Sequence, residues 1–242
     1  MLVIKLNAID STNDYLKQLN KEKTLSDYTV VTTFSQTKGK GQMGSNWISE
    51  PGKNLTFSVL VKDSVTLQSS IFDCNVAVAV SVLEVLQSLK IPNLNIKWPN
   101  DILAESKKIG GILIENSIKA DGMIDTVIGI GLNINQEDFS GLPSASSLKN
   151  IVEKDFDLEF LLEKIVNQLK SNLNKLPLRK EFFWEKYKSH LFKINQPMAF
   201  EDLNQNRFMG IITGVSSDGK LELVLEDDSC QTFGLKEIRM LY

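Results

Sequence analysis

Gly39-Lys40-Gly41-Gln42-Met43-Gly44 spells G-x-G-x-x-G. It directly follows residues 28–34, a run of β-branched and aromatic side chains that reads as a strand. On spacing alone this is the dinucleotide-binding fingerprint, whose glycines let a pyrophosphate approach the N-terminus of a following helix. The helix is missing. Ser45-Asn46-Trp47-Ile48-Ser49-Glu50-Pro51-Gly52 comes next, with Pro and Gly where a helix would be running, so the Rossmann reading fails. No G-x-x-x-x-G-K-S/T occurs elsewhere, which excludes a P-loop enzyme. What remains is a glycine-bearing loop over 35–54, between strands at 28–34 and 55–61, carrying Lys38, Lys40 and Trp47. Taken alone, it reads equally well as a surface loop. Structureless loops of this length are nevertheless uncommon unless functional, backbone N–H groups beside a lysine suit an anion, and an indole offers a stacking face.

Outward from the loop, residues 1–5 read as a strand. Ser11-Thr12-Asn13-Asp14 reads as a helix start, with a hydroxyl to cap free N–H groups and Asp14 suited to the helix dipole. A helix is expected over 67–89, marked by Ile71, Cys74, Val78, Val82, Val85 and Leu89 at helical spacing. Strands are expected at 94–97, 110–116 and 123–132, the last two joined by a turn at Lys119-Ala120-Asp121-Gly122. A loop over 136–150 precedes helices at 157–175 and 179–188. Beyond Lys193 the pattern changes to short strands at 198–200, 208–215, 221–225 and 230–234, with a Ser217-Asp218-Gly219 turn. The fold class is α+β, a mixed or antiparallel sheet packed with helices plus a small C-terminal β-barrel, divided as 1–192 and 193–242.

Composition narrows the function. The chain has 242 residues, 42% hydrophobic and 24% charged, ordinary for a soluble globular protein. A net charge of −3 gives no global field towards nucleic acid or an anionic membrane. Two cysteines, Cys74 and Cys230, and one histidine, His190, cannot build a Cys/His zinc site or a disulfide framework. Both cysteines are expected to pack as small apolar residues, and His190 to be structural. No signal peptide or membrane-length apolar run is apparent, so the chain is expected to be soluble and cytoplasmic.

A second constellation gives the glycine loop a context. Lys97-Trp98-Pro99-Asn100-Asp101 follows a short strand, and Lys107-Lys108-Ile109-Gly110-Gly111 enters the next. Pro99 stops the ladder, and Gly110 and Gly111 let a backbone or a ligand come close, so Lys108 can direct its ammonium into a shallow site. A third segment, Gly129-Ile130-Gly131-Leu132-Asn133-Ile134-Asn135, ends a strand with two amides.

These segments, in this order, resemble the biotin protein ligases. The match comprises Asp10–Asn13, Gln36–Gly44 with Trp47, Lys97–Asp101, Lys108–Gly111 and Gly129–Asn133. The resemblance implies a catalytic fold of class II synthetase type with an SH3-like C-terminal barrel. It also implies two half-reactions: biotin and ATP give biotinyl-5′-AMP, and a lysine of a biotin carboxyl carrier protein then takes the biotin. Such chemistry needs positioning of two anions and charge stabilisation more than an acid or base, which suits a chain without a histidine-centred site. By the same resemblance Lys108 contacts the biotin carboxylate and the reacting phosphate. Lys40 stands where many members carry arginine, keeping charge without the bidentate fork. Asp101 completes the catalytic set, helping to place Mg²⁺ or the lysines. Ser11, Thr12, Gln36, Gly39, Lys108 and Gly111 are assigned to biotin, and Lys40, Gly41, Trp47, Lys97, Asn100 and Asn133 to ATP. Magnesium is expected with the nucleotide, its protein ligands unassigned.

Three rivals are weighed. Lipoate ligases and octanoyl transferases share the catalytic fold, but Lys97–Asp101 and the C-terminal barrel favour the biotin branch. DNA-binding repressors of the group carry a helix-turn-helix before the Ser-Thr-Asn segment, and only ten residues precede Ser11 here. A non-catalytic binding module is disfavoured by Lys108 and Asp101. The expected partner is a biotin-dependent carboxylase carrier, with no DNA or membrane, and the chain is expected to be a monomer or homodimer.

Overall fold

In the computed structural model, which describes residues 2–65, 71–119 and 122–242, the strand leading into the glycine loop is β2 (Val30–Gln36). It lies parallel to β1 (Val3–Ile9), with Val3 opposite Val30 and Ile9 opposite Gln36. A parallel pair needs a crossover, supplied here by α1 (Thr12–Glu22). Ser11 caps it: the side chain accepts from the Asp14 N–H, as the Ser-Thr-Asn-Asp run predicts. The sheet continues antiparallel through β3 (Leu55–Val65), β7 (Ile124–Leu132), β6 (Lys107–Ile118), β5 (Asp101–Ala104) and β4 (Leu94–Lys97), in the order β1-β2-β3-β7-β6-β5-β4.

Successive strand residues point to opposite faces, so the sheet feeds two cores. Val30, Phe57, Val59 and Ile128 join the main one, while their neighbours Val31, Leu60 and Val127 join a smaller one under Leu16 of α1. On the main face, α2 (Ile71–Ser88) packs with α4 (Leu158–Ser189). Val76 to Val80 are buried in succession, as a helix enclosed on all sides requires. Each fully buried Val or Leu contributes about 1.5–3 kcal/mol relative to exposure. By length and mean hydropathy (1.5) α2 could cross a membrane, contrary to the reading that no run comes close, but 72% of it is buried inside the protein. The apolar surface is spent on the core.

The C-terminal segment forms a second sheet of β8 (Pro197–Asp202), β9 (Arg207–Val215), β10 (Leu221–Leu225), β11 (Cys230–Phe233) and β12 (Ile238–Leu241), all antiparallel and ordered β11-β10-β9-β8-β12. Its β9–β10 turn is seated on the large sheet. Trp98 is buried and its Nε1–H donates to the Gly219 carbonyl (2.8 Å), and Phe72 lies so close that a Cβ at Gly219 would meet it at 2.4 Å.

The helices expected at 157–175 and 179–188 run as α4, whose helical backbone is interrupted at Arg179 (φ −136°), where the second begins, so the expected division stands although the two segments are continuous. Other expectations are corrected. Strands β5 and β12 were not anticipated, and α3 (Leu148–Val152) closes the expected loop. Cys74 is buried as expected, but Cys230, opposite Val224 on β11, is exposed rather than packed in a core. The first turn of the helix expected from 67, and Ala120 and Asp121 of the expected turn, lie outside the described residues.

Candidate active site

A cavity of about 240 Å³ opens where the glycine loop crosses the sheet. Ser11, Thr12, Gln36, Lys40, Gly41, Trp47, Asn100, Asp101, Lys108 and Gly111 all line it. Elements that begin about 100 residues apart in sequence therefore meet here: the start of α1, the end of β2, and the β5–β6 hairpin.

Lys108 reaches this cavity because of a bulge. On a regular strand Lys108 and Gly111, three apart, would face opposite sides. The β5–β6 register shifts between Ile102 and Leu103, leaving Ile109 as the extra residue of β6. Alternation is thereby reset: a Cβ on Gly111 would sit 3.7 Å from the Lys108 Nζ. The backbone of Lys108 is pinned by its N–H to the Ser144 carbonyl (2.7 Å) and by its own carbonyl, which accepts from the Ser146 N–H (3.0 Å). Its ammonium pairs with Asp101 Oδ1 at 2.7 Å and stands 5.9 Å from the centre of the Trp47 ring. The two glycines of this strand do different jobs. Gly110 permits strand packing, since a Cβ would strike Leu132 at 2.4 Å, while Gly111 leaves room in front of Lys108.

Trp47 roofs the site by resting on Gly131, where a Cβ would be 2.4 Å from Cε2. Its Nε1–H is buried without a hydrogen-bond partner. Leaving such a donor unpaired costs about 1–3 kcal/mol. The loop around it is held by Trp47 N–H to Gly39 O (2.9 Å), and Gly39 is buried so tightly that a Cβ would meet the Trp47 carbonyl at 2.2 Å. Gly39 thus shapes the loop without lining the cavity.

At the other end, the Gln36 carbonyl oxygen accepts from Thr12 N (2.9 Å) and Thr12 Oγ1 (3.1 Å). The backbone donor fixes the amide orientation, so Gln36 turns its NH₂ away from Thr12. From Thr12 a chain of polar contacts continues. The buried Ser58 hydroxyl is shared between Thr12 Oγ1 (2.7 Å) and Asn13 Oδ1 (2.6 Å). Asn13 Nδ2 donates to Glu115 Oε2 (2.7 Å), and Glu115 Oε1 takes Lys17 (2.7 Å). Lys17 also binds Asp14 (3.0 Å), whose other oxygen takes Lys40 (2.5 Å). Burial works against the charge of Asp14, but Lys40 and Lys17 outweigh it and hold the carboxyl below its ordinary range. Burial likewise opposes the Lys17 ammonium, and Glu115 and Asp14 outweigh it, raising its pKa. Asn13, Ser58 and Glu115 escaped the sequence reading. Ser58 and Glu115 sit on strands remote from α1, and only Asn13, in the Asp-Ser-Thr-Asn run, carried a signal.

Two assigned residues stand elsewhere. Lys97 lines a separate cavity beside the C-terminal sheet, its Nζ 4.8 Å from the centre of the Tyr242 ring. Asn133 is buried, its side-chain Nδ2 donates to Ser146 O (3.0 Å) and its main-chain carbonyl accepts from the Leu148 N–H (3.1 Å). It ties down the loop that pins Lys108. Asn100 lines the cavity, its main-chain carbonyl accepting from the Ile112 N–H (3.0 Å) and its side-chain Nδ2 donating to Ile112 O. His190 ends α4, its Nδ1 2.9 Å from the Lys186 carbonyl, remote from the site.

A polar cavity with a paired lysine under a glycine loop suits an anionic ligand. The profile of the Biotin/lipoate A/B protein ligase family matches residues 6–135, more than half of the chain, and the chain belongs to that family. Within it the similarity runs to the biotin enzymes. The biotin protein ligase of Aquifex aeolicus, solved in complex with biotin and ATP, superposes with a TM-score of 0.81 at 27% identity, covering 99% of this chain and 98% of that one. The bifunctional ligase/repressor BirA of Bacillus spizizenii is 32% identical over 135 residues, 56% of this chain and 41% of that protein. The biotin–(acetyl-CoA-carboxylase) ligase of Paracoccus denitrificans is 30% identical over 144 residues, 60% of this chain and 57% of that protein. The matched region thus spans about two fifths to three fifths of these two curated relatives.

Proposed function

We propose that this chain is a biotin protein ligase, which activates biotin with ATP and transfers it to a lysine of a biotin-dependent carboxylase carrier. The observation that carries the reading is Lys108, held at 2.7 Å by Asp101 in a cavity whose other end presents Ser11, Thr12 and Gln36. The similarity to the A. aeolicus enzyme over nearly the whole of both chains supports it.

In this reading a biotin carboxylate oxygen attacks the α-phosphorus of ATP, the bond to pyrophosphate breaks, and biotinyl-5′-AMP forms. Two negative groups must meet, and the Lys108 ammonium lowers the repulsion between them. Its three N–H donors let it keep Asp101 while contacting the ligand. Thr12 and Gln36, fixed by the polar chain through Ser58 and Asn13, hold the ureido ring, and Lys40 and Gly41 of the loop cover the phosphate. Trp47, with its unpaired Nε1–H, contributes a stacking face and a donor for the nucleotide. Asn100 borders the same space, Lys97 and Asn133 act from outside it, and Gly39 and Gly111 give the backbone room. In the second half-reaction the acceptor amine attacks the acyl carbon, AMP leaves, the amide forms, and the amine proton passes to solvent. Among the described residues no three His, Cys, Asp or Glu side chains converge. Asp101, which lines the cavity beside Lys108, is the carboxylate that would meet a Mg²⁺ carried on the ATP phosphates, where the ion would neutralise charge. Residues 1–192 act as the catalytic unit and 193–242 as the appended barrel of a soluble, cytoplasmic enzyme.

The test is ATP-dependent biotin transfer to a purified carrier domain, with lipoate as the competing acid. Transfer of biotin, lost at least about 100-fold in Lys108→Ala, fits one charged contact to the transition state. Transfer of lipoate in its place refutes the substrate, and equal rates in both proteins refute the role of Lys108.

A further inference from the structure

Residues 40–47 form a narrow strap closed on itself. Gly41 N–H donates to Ser45 O (2.7 Å), Ser45 N–H to Gln42 O (3.2 Å), and Lys40 is bridged to Asn46. On one side lies the ligand cavity. On the other, a second cavity of about 530 Å³ separates the strap from the C-terminal sheet, with Leu203, Leu235 and Arg239 on its far wall. Gln42 lines both spaces, so the strap is one residue thick at that point. At Gln42 and Met43 the strap has open space behind it, while its ends are held by the Lys40–Asp14 pair and by Trp47 on Gly131.

Lys236 crosses that space. Its ammonium donates to the Met43 carbonyl at 2.6 Å, joining residues 193 apart in sequence. Both ends of this contact have left-handed backbones, Met43 at φ 53° and Lys236 at φ 65°. Residues with a side chain avoid that region unless their surroundings impose it. The Lys236 end is fixed by its own turn, where Gly234 N–H donates to Glu237 Oε2 (2.6 Å). The Met43 end belongs to the strap, which turns its carbonyl outward to meet the lysine.

We infer that Lys236 is a positioning residue that latches the strap over the ligand cavity, so that the C-terminal sheet sets how long a reactive acyl-adenylate stays enclosed. This rests on the chemistry proposed above. A mixed anhydride is attacked by water as well as by an amine, so an intermediate that escapes before the acceptor arrives is wasted. Lys236 touches no reacting atom. It acts through Met43 on a wall of the site.

The full chain is incubated with biotin and ATP without acceptor, and bound and released biotinyl-AMP are followed over time. Lys236→Met should form the adenylate at the wild-type rate and release it about two- to tenfold faster, the worth of one exposed hydrogen bond. Lys236→Arg, which keeps the donors, should restore most of the retention. In a parallel arm without ligands, trypsin should cut at Lys38 and Lys40 faster in Lys236→Met than in the wild type, at unchanged melting temperature. Unchanged release, or unchanged cutting, overturns the latch. Absence of adenylate in the wild type counts against the ligase reading instead, and the cutting arm then decides the latch by itself.

Discussion

Gly131→Ala is the most demanding test of the site geometry. The added methyl would sit 2.4 Å from Trp47 Cε2, 2.7 Å from Cζ2 and 2.9 Å from Nε1, all atoms of one indole. Ordinary carbon contact is near 3.5 Å, so the ring must retreat by about 1 Å. The residue cannot slide freely, because the main-chain N–H of Trp47 is tied to Gly39 O at 2.9 Å and a Cβ on Gly39 would already meet the Trp47 carbonyl at 2.2 Å. The displacement is therefore passed to the strap that carries Lys40 and Gly41. Overpacking of this kind costs about 1–3 kcal/mol, or about 5- to 150-fold in ligand affinity if the cost falls on the closed site. Trp47 lies outside both hydrophobic cores, so the melting temperature should stay near that of the wild type. Pyrophosphate exchange gives the Michaelis constants for biotin and ATP, and tryptophan emission reports the ring directly. Trp98 and Trp184 are hydrogen-bonded to Gly219 and Asp73, away from the change. Wild-type constants with unaltered emission would show that Trp47 does not rest on Gly131, and the roof of the site would have to be redrawn.

Two further outcomes follow from the chemistry of single groups. Burial pushes Glu84 up, but hydrogen bonds from Asn172, Lys186 and Gln168 outweigh it and leave its carboxyl below the ordinary 4.5. A depressed carboxyl contributes stability above its unfolded pKa that is lost as pH falls through the folded value. Thermal melts from about pH 6 to about pH 3 should therefore fall more steeply for the wild type than for Glu84→Gln; parallel curves would remove Glu84 from the α2–α4 junction. Burial also raises the Cys74 thiol to about 12, whereas Cys230 is exposed. A thiol reagent at neutral pH should label one cysteine in the native protein and both after unfolding, and labelling of Cys74 in the native state would contradict the packing of α2.

The parts of the fold legible in the sequence are those with local causes. Ser11 caps α1 because a hydroxyl there meets free N–H groups, and α2 is marked by its valines. β5 was hidden for an equally local reason. Its turn to β6 uses Glu105 (φ 50°) and Ser106 (φ 61°), both left-handed without the Gly or Asn that advertises such a turn. The division of the last helical region was legible too, since α4 breaks at Arg179, just after Pro177 and where the second expected segment begins. In the site, residues within motifs were found and those supporting them from other elements were not: Ser58 and Glu115 carry no signal of their own. Lys97 and Asn133 belong to the right motifs, yet their side chains point to the C-terminal sheet and the 144–148 loop.

By itself, then, the sequence determined which segments could hold anions and which could not, because glycine, proline and capping residues act on the backbone within a few positions. It excluded a Rossmann turn at Gly39–Gly44 and placed the lysine and glycines that the cavity uses. Which way those groups face was decided only by the tertiary structure. The bulge at Ile109 aims Lys108 at Gly111, Trp47 finds its seat on Gly131, and Lys236 reaches Met43 across the gap between the strap and the C-terminal sheet. Side-chain direction depends on strand register and on long-range contacts, and neither is written in any short stretch of the chain.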